Sequence, residues 1–152
     1  MNWEEDTLEH IDEVFDLLYD ITDRLKIRAA LHDASKMNHP ESKIFEIYTS
    51  KLKNTTYGSD EYKQYLKEMK PALDHHYANN RHHPEHFKNG INDMNLVDLI
   101  EMFCDWFAAT ERHEDGNIFK SIEINKKRFN YSDDLKNIFN NTAELFLGIS
   151  KK

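Results

Sequence analysis

Cysteine is nearly absent: Cys104 is the only one in 152 residues, so neither an intramolecular disulfide nor a cysteine-based zinc site can form. Glycine occurs four times and proline three times, too rarely for the tight turns that an all-β fold of many short strands consumes. Basic residues are outnumbered, with 20 Lys and Arg against 28 Asp and Glu and a net charge of -8. That balance repels a phosphate backbone and argues against duplex nucleic acid as a partner. No stretch approaches the ~20 apolar residues that span a bilayer. The acidic start MNWEEDTLEHIDEV also lacks the basic region and apolar core of an export signal. These shortages leave a helical protein of a reducing cytoplasm, with no membrane partner.

What is present suffices for a core. Apolar residues make up 39% of the chain, with nine Phe, seven Tyr and two Trp, and the length suits one domain over 1–152. Leu8, Ile11, Phe15 and Leu18, flanked by Val14, Leu17, Ile21 and Leu25, recur at helical spacing and predict a first helix over about 4–24. KIRAALHDASK reads as a short second helix packed antiparallel to the first, ended by Asn38–Pro40. Pro40 and Glu41 open a third, with Glu41 complementing its positive end. A fourth, capped by Ser59 or Asp60, runs through His76 with a kink expected at Pro71. ANNRHHPEHFKNGIND has no period and reads as a surface loop before Asn95 caps a helix apolar on nearly every side. Asp115-Gly116 marks a turn, followed by a helix from about Ile118 to Phe129 and an amphipathic one capped near Ser132. The expectation is an all-α bundle of six to seven helices. An aromatic face with Phe139 and Phe146 could serve a homodimer.

Histidine is in excess: nine in all, five of them within the twelve residues from His75 to His86. Asp98, Glu101 and Asp105 fall on one stripe of an otherwise apolar helix, within about 60°. Burying three carboxylates requires cations, protons or water opposite them, although Asp98 and Glu101 could instead bond to Arg81, Arg112 or solvent. His10 sits on the apolar side of the first helix, and His32-Asp33 follows on its expected neighbour. Imidazole with carboxylate suits Mn, Fe, Co, Ni or Zn rather than Ca. His10, His32, Asp33 and Asp105 would then form a site assembled from three helices.

The order His10, LHDASK, later histidines and Asp105 in FCDWFAAT resembles the HD superfamily of metal-dependent phosphohydrolases. The resemblance covers most of the chain and implies an HD-like helical domain with His10, His32, Asp33 and Asp105 as metal ligands. It also implies that His75, His76, His82 and His83 are available to a second ion, and that Lys36 meets substrate phosphate. Lys36 could equally serve the helix dipole. The finer pattern HHYANNRHHPEHF, MNLVDLIEMFCDW, RHEDGNIFKSIEIN is similar to a small family of phages and bacteria that brings no substrate with it.

Arg81 suits a bidentate phosphate clamp, with Asn80 beside it. Asp98 or Glu101 would act as base or further ligand. Glu85, in a His-Pro-Glu tripeptide that repeats residues 39–41, could orient a ligand histidine. The expected activity is hydrolysis of a nucleotide or other small phosphoester by a water activated on one or two divalent ions. The alternatives are a di-iron oxygenase of the same fold and a non-enzymatic acidic interaction protein of phage origin.

Overall fold

The computed structural model describes residues 2–55, 59–112 and 116–149, and among them it is all-helical. The chain divides into two units, Met1–His32 and Asp33–Lys152. No helix among the described residues is long and apolar enough to cross a membrane.

The first unit is one helix, α1 (Trp3–Leu31). Asn2 caps it by accepting from the Glu4 and Glu5 amides, and the Glu5 carboxylate accepts from the Asn2 amide in return. The predicted break after residue 24 does not occur. The segment Thr22–Ala30 holds no Gly or Pro and consists largely of good helix formers, so nothing halts propagation. His10 and His32 therefore belong to one rod rather than to antiparallel neighbours. At 1.5 Å per residue they stand roughly 33 Å apart, and the two imidazoles of one chain cannot share an ion. No residue of α1 is buried.

The second unit contains α2 (Glu41–Lys53), α3 (Asp60–Glu68), α4 (Lys70–Asn79), α5 (Leu96–Thr110), α6 (Ile118–Phe129) and α7 (Asp133–Phe146). Short 3-10 turns lie at Ala34–Met37, Pro84–His86 and Gly90–Asp93. Its core comes from the last three helices and the turn joining α6 to α7: Met102 and Phe103, Ile118 and Ile122, Tyr131, Phe139 and Ala143. Phe139 stacks on Phe103 at 5.7 Å. The Tyr131 hydroxyl donates to the Ile122 carbonyl at 2.7 Å, which lets a phenol sit in this core.

Asn95 and Ser132 cap α5 and α7 as their sequence context predicts. The long fourth helix is in fact two, α3 and α4, parted at Met69, because Pro71 is at home in the first turn of a new helix and not in the middle of an old one. α5 is not core on all sides either: Met102 and Phe103 are buried, while Leu96, Ile100 and Cys104 are exposed. Phe139 is enclosed in its own core and so is not available to a dimer face with the exposed Phe146. Of the Asp115-Gly116 turn, Asp115 lies outside the described residues, as does His113.

Candidate metal centre

Asp33 opens the second unit with φ 57° and ψ 13°, a left-handed conformation that Asp tolerates better than most residues. Lys36, one turn on, holds its Oδ2 at 2.5 Å. α4 presents His75 and His76 near its end, and the non-helical stretch after Asn80 returns His82 and His83 to the same place. Ligand atoms of Asp33, His76, His82 and His83 all lie within 4.8 Å of one another. Nε2 of His76 is 3.2 Å from Asp33 Oδ1 and 2.9 Å from His83 Nε2, and Nε2 of His82 is 3.5 Å from the same Asp33 oxygen.

Carboxylates on the far side fix how two of the imidazoles face. Nδ1 of His76 lies 2.9 Å from Oε2 of Glu41, which is fully buried, and Nδ1 of His82 lies 3.1 Å from Oε1 of Glu101. The surrounding network favours a proton on Nδ1 of His76. Asn80 spends its two amide hydrogens on Ser35 Oγ at 2.7 Å and the His76 carbonyl at 2.8 Å. Ser35 in turn donates to Glu41 Oε2 at 3.0 Å. Only Nδ1–H of His76 is left to donate to Glu41, so its Nε2 carries a lone pair toward Asp33. Several acceptors thus converge on one point, an arrangement that a cation stabilises.

Burial pushes the Asp33 carboxyl up, but its close contacts with His76, His82 and the Lys36 ammonium outweigh it and hold the group far below the usual carboxylate range, so Asp33 stays an anion. Burial, with His82 and His76 beside it, lowers His83 to about 3, leaving a neutral ring with a lone pair to offer. Burial also opposes ionisation of Glu41, yet hydrogen bonds from His75, Ser35 and His76 prevail and lower it.

The three carboxylates of the α5 stripe meet different groups. Asp98, fully buried, receives Arg81 Nε at 3.2 Å and Nη2 at 3.0 Å, and its Oδ2 also accepts from the Asn95 amide at 3.1 Å. Glu101 meets His82. Asp105 brings a carboxylate oxygen within 4.8 Å of one of Asp33, and its charge acts on His83.

Over residues 1–145 the chain matches the model of DUF5662, a family of unknown function. The chain belongs to that family. No curated protein and no solved structure matches it. The DUF5662 match takes in every residue of the cluster.

Several residues chosen from sequence have other tasks. Arg81 spends the fork of its guanidinium on Asp98, so the pair anchors the loop to α5 and does not form an open phosphate clamp with a neighbouring base. Asn80 is buried and engaged with Ser35 and His76 rather than facing substrate. His75 turns its Nδ1 to Glu41 Oε1 at 2.7 Å, outside the four-residue cluster. His10 is exposed midway along α1 and joins none of the candidate ligand groups among the described residues, whereas His32, which ends that helix one peptide bond before Asp33, keeps its place among the candidate ligands. Glu85 pairs with Arg128 at 2.6 Å, while in the other His-Pro-Glu copy it is Glu41 that meets two histidines. Glu41 and Ser35 are the residues that sequence reasoning missed. The repeated tripeptide was the one available signal for Glu41, and nothing local pointed to Ser35.

Proposed function

We propose that Asp33, His76, His82 and His83 hold a divalent transition-metal ion, and that the protein is a metal-dependent hydrolase of a nucleotide or other small phosphoester. The observation that carries the metal reading is the pair of carboxylate–imidazole contacts, Glu41 to His76 and Glu101 to His82. Each pins Nδ1 and turns Nε2 toward Asp33, the arrangement by which carboxylates orient metal-binding histidines. Three imidazoles with one carboxylate suit Mn, Fe, Co, Ni or Zn. Bound there, such an ion supplies Lewis acidity and a water acidified toward neutrality.

The chain's own residues do the rest. Asp33 and the neutral His83 offer lone pairs, Glu101 positions His82, and Asp105 adds negative charge on the same side. Lys36 is half-exposed beside Asp33 and stands ready to meet an anionic substrate. The phosphoester class draws on the resemblance to the HD superfamily, and the single exposed thiol suits a reducing cytoplasm.

A phosphate-release screen over nucleotides with Mn, Co, Ni or Zn, run beside the His82→Ala protein, tests the reading. Release by the parent and a loss of at least a hundredfold in the variant support it. Oxygen uptake with iron in place of phosphate release would transfer the site to oxidase chemistry. No turnover with any metal would remove the enzyme reading.

A further inference from the structure

We propose that α1 pairs with α1 of a second copy of this chain as an antiparallel coiled coil. Leu8, Ile11, Phe15, Leu18 and Leu25 follow alternating three- and four-residue steps, with Thr22 filling the remaining step, so a single seam runs along three heptads. Val14 and Ile21 widen it on one edge. Within the first unit no other element covers this seam: Leu8 is 62% exposed, Phe15 64% and Leu18 60%, while Ile21 and Leu25 are half-buried. In proteins most helical stability comes from covering an apolar face.

Charge selects the occupant and its direction. Residues 3–16 carry seven carboxylates and no Lys or Arg, whereas residues 17–31 carry three basic residues and two acidic ones. Parallel pairing would set the two acidic halves against each other, which is destabilising. Antiparallel pairing sets each acidic half against the basic end of the partner. In the register centred between Phe15 and Leu18, Leu8 meets Leu25 of the partner subunit, Ile11 meets Thr22 of the partner subunit and Phe15 meets Leu18 of the partner subunit. Asp12 then lies beside Lys26 of the partner subunit. Every seam residue finds a seam residue opposite, which a shift of one position would destroy.

Sedimentation of the full chain over a range of concentrations tests the pairing. The expected result is a species of twice the 18.1 kDa chain mass, with self-association weakened at least tenfold by Leu18→Asp and also by high salt. Retained near-ultraviolet dichroism from the aromatic core verifies that the variant folds. Direction is read by oxidation in a Cys104→Ser background. Leu8→Cys and Leu25→Cys proteins should cross-link when mixed and not when oxidised singly. A monomer at every concentration would overturn the proposal, because the face would then be covered within its own chain or by another protein. Cross-linking of the Leu8→Cys protein alone would overturn the antiparallel direction.

Discussion

Oε2 of Glu41 stands 2.9 Å from Nδ1 of His76, and both side chains are sealed from water. A buried carboxylate is costly unless its oxygens are satisfied, and this one serves two histidines and a serine. Its chemical consequence lies on the other side of the ring, where Nε2 is left as a lone pair aimed at Asp33.

Glu41→Gln keeps the size of the side chain and removes its charge. An amide can present its NH₂ to Nδ1 and favour the wrong tautomer of His76. Metal affinity should fall about 10–100-fold, the usual loss for an orienting partner of a metal ligand, with little change in helix content. Calorimetric titration with zinc or manganese measures it. Unchanged affinity would mean that His76 needs no orientation or does not bind.

Arg81 has a structural assignment. Arg81→Ala leaves the buried Asp98 carboxylate without its guanidinium. The protein should lose about 1–3 kcal/mol of stability, a figure for a stranded buried polar group, tempered because the Arg81 side chain is 45% exposed. Urea unfolding gives the loss, and zinc affinity should hold within about twofold. A variant of full stability that fails only in phosphate release would return Arg81 to substrate binding.

Phe139→Ala removes the ring that meets Phe103, Trp106 and Tyr131. Truncating such a core aromatic costs roughly 3–5 kcal/mol. The urea midpoint should drop accordingly, and a change near zero would show that this cluster does not hold the second unit together.

Burial of Tyr131, with Glu123 nearby, raises its phenol pKa above the ordinary value. The folded state thus prefers the protonated phenol, and the unfolded chain loses its proton first, near pH 10. Stability from this group is fully present below that pH and declines as pH rises beyond it. Melting temperature followed from pH 8 to 11 should fall more steeply in the parent than in Tyr131→Phe, which has no proton to lose. Parallel curves would contradict the assignment.

Much of the fold could be read from local patterns. The caps at Asn95 and Ser132, the seam of α1 and the period of α7 are local signals, and local signals survive into structure. The break expected after residue 24 failed because helix propagation needs only the absence of a breaker, and Thr22–Ala30 contains none. The site was legible in composition rather than in assignment. The histidine cluster and the α5 stripe marked the neighbourhood, and Asp33, His76, His82 and His83 come together there. Which carboxylate faces which cation depends on where the loop after Asn80 returns, so Asp98 going to Arg81 and Glu101 to His82 could not be settled beforehand. Glu41 looked like an ordinary first-turn acid because its partners, His75 and His76, lie more than thirty residues away.

Metal content is the most direct test of the central claim. The full chain, stripped with chelator and reloaded with zinc, should retain close to one ion per chain after gel filtration by elemental analysis. His76→Ala, His82→Ala and Asp33→Ala should each retain far less while keeping the helical dichroism of the parent. Equal metal in the parent and all three variants, or none in any of them, would contradict the account.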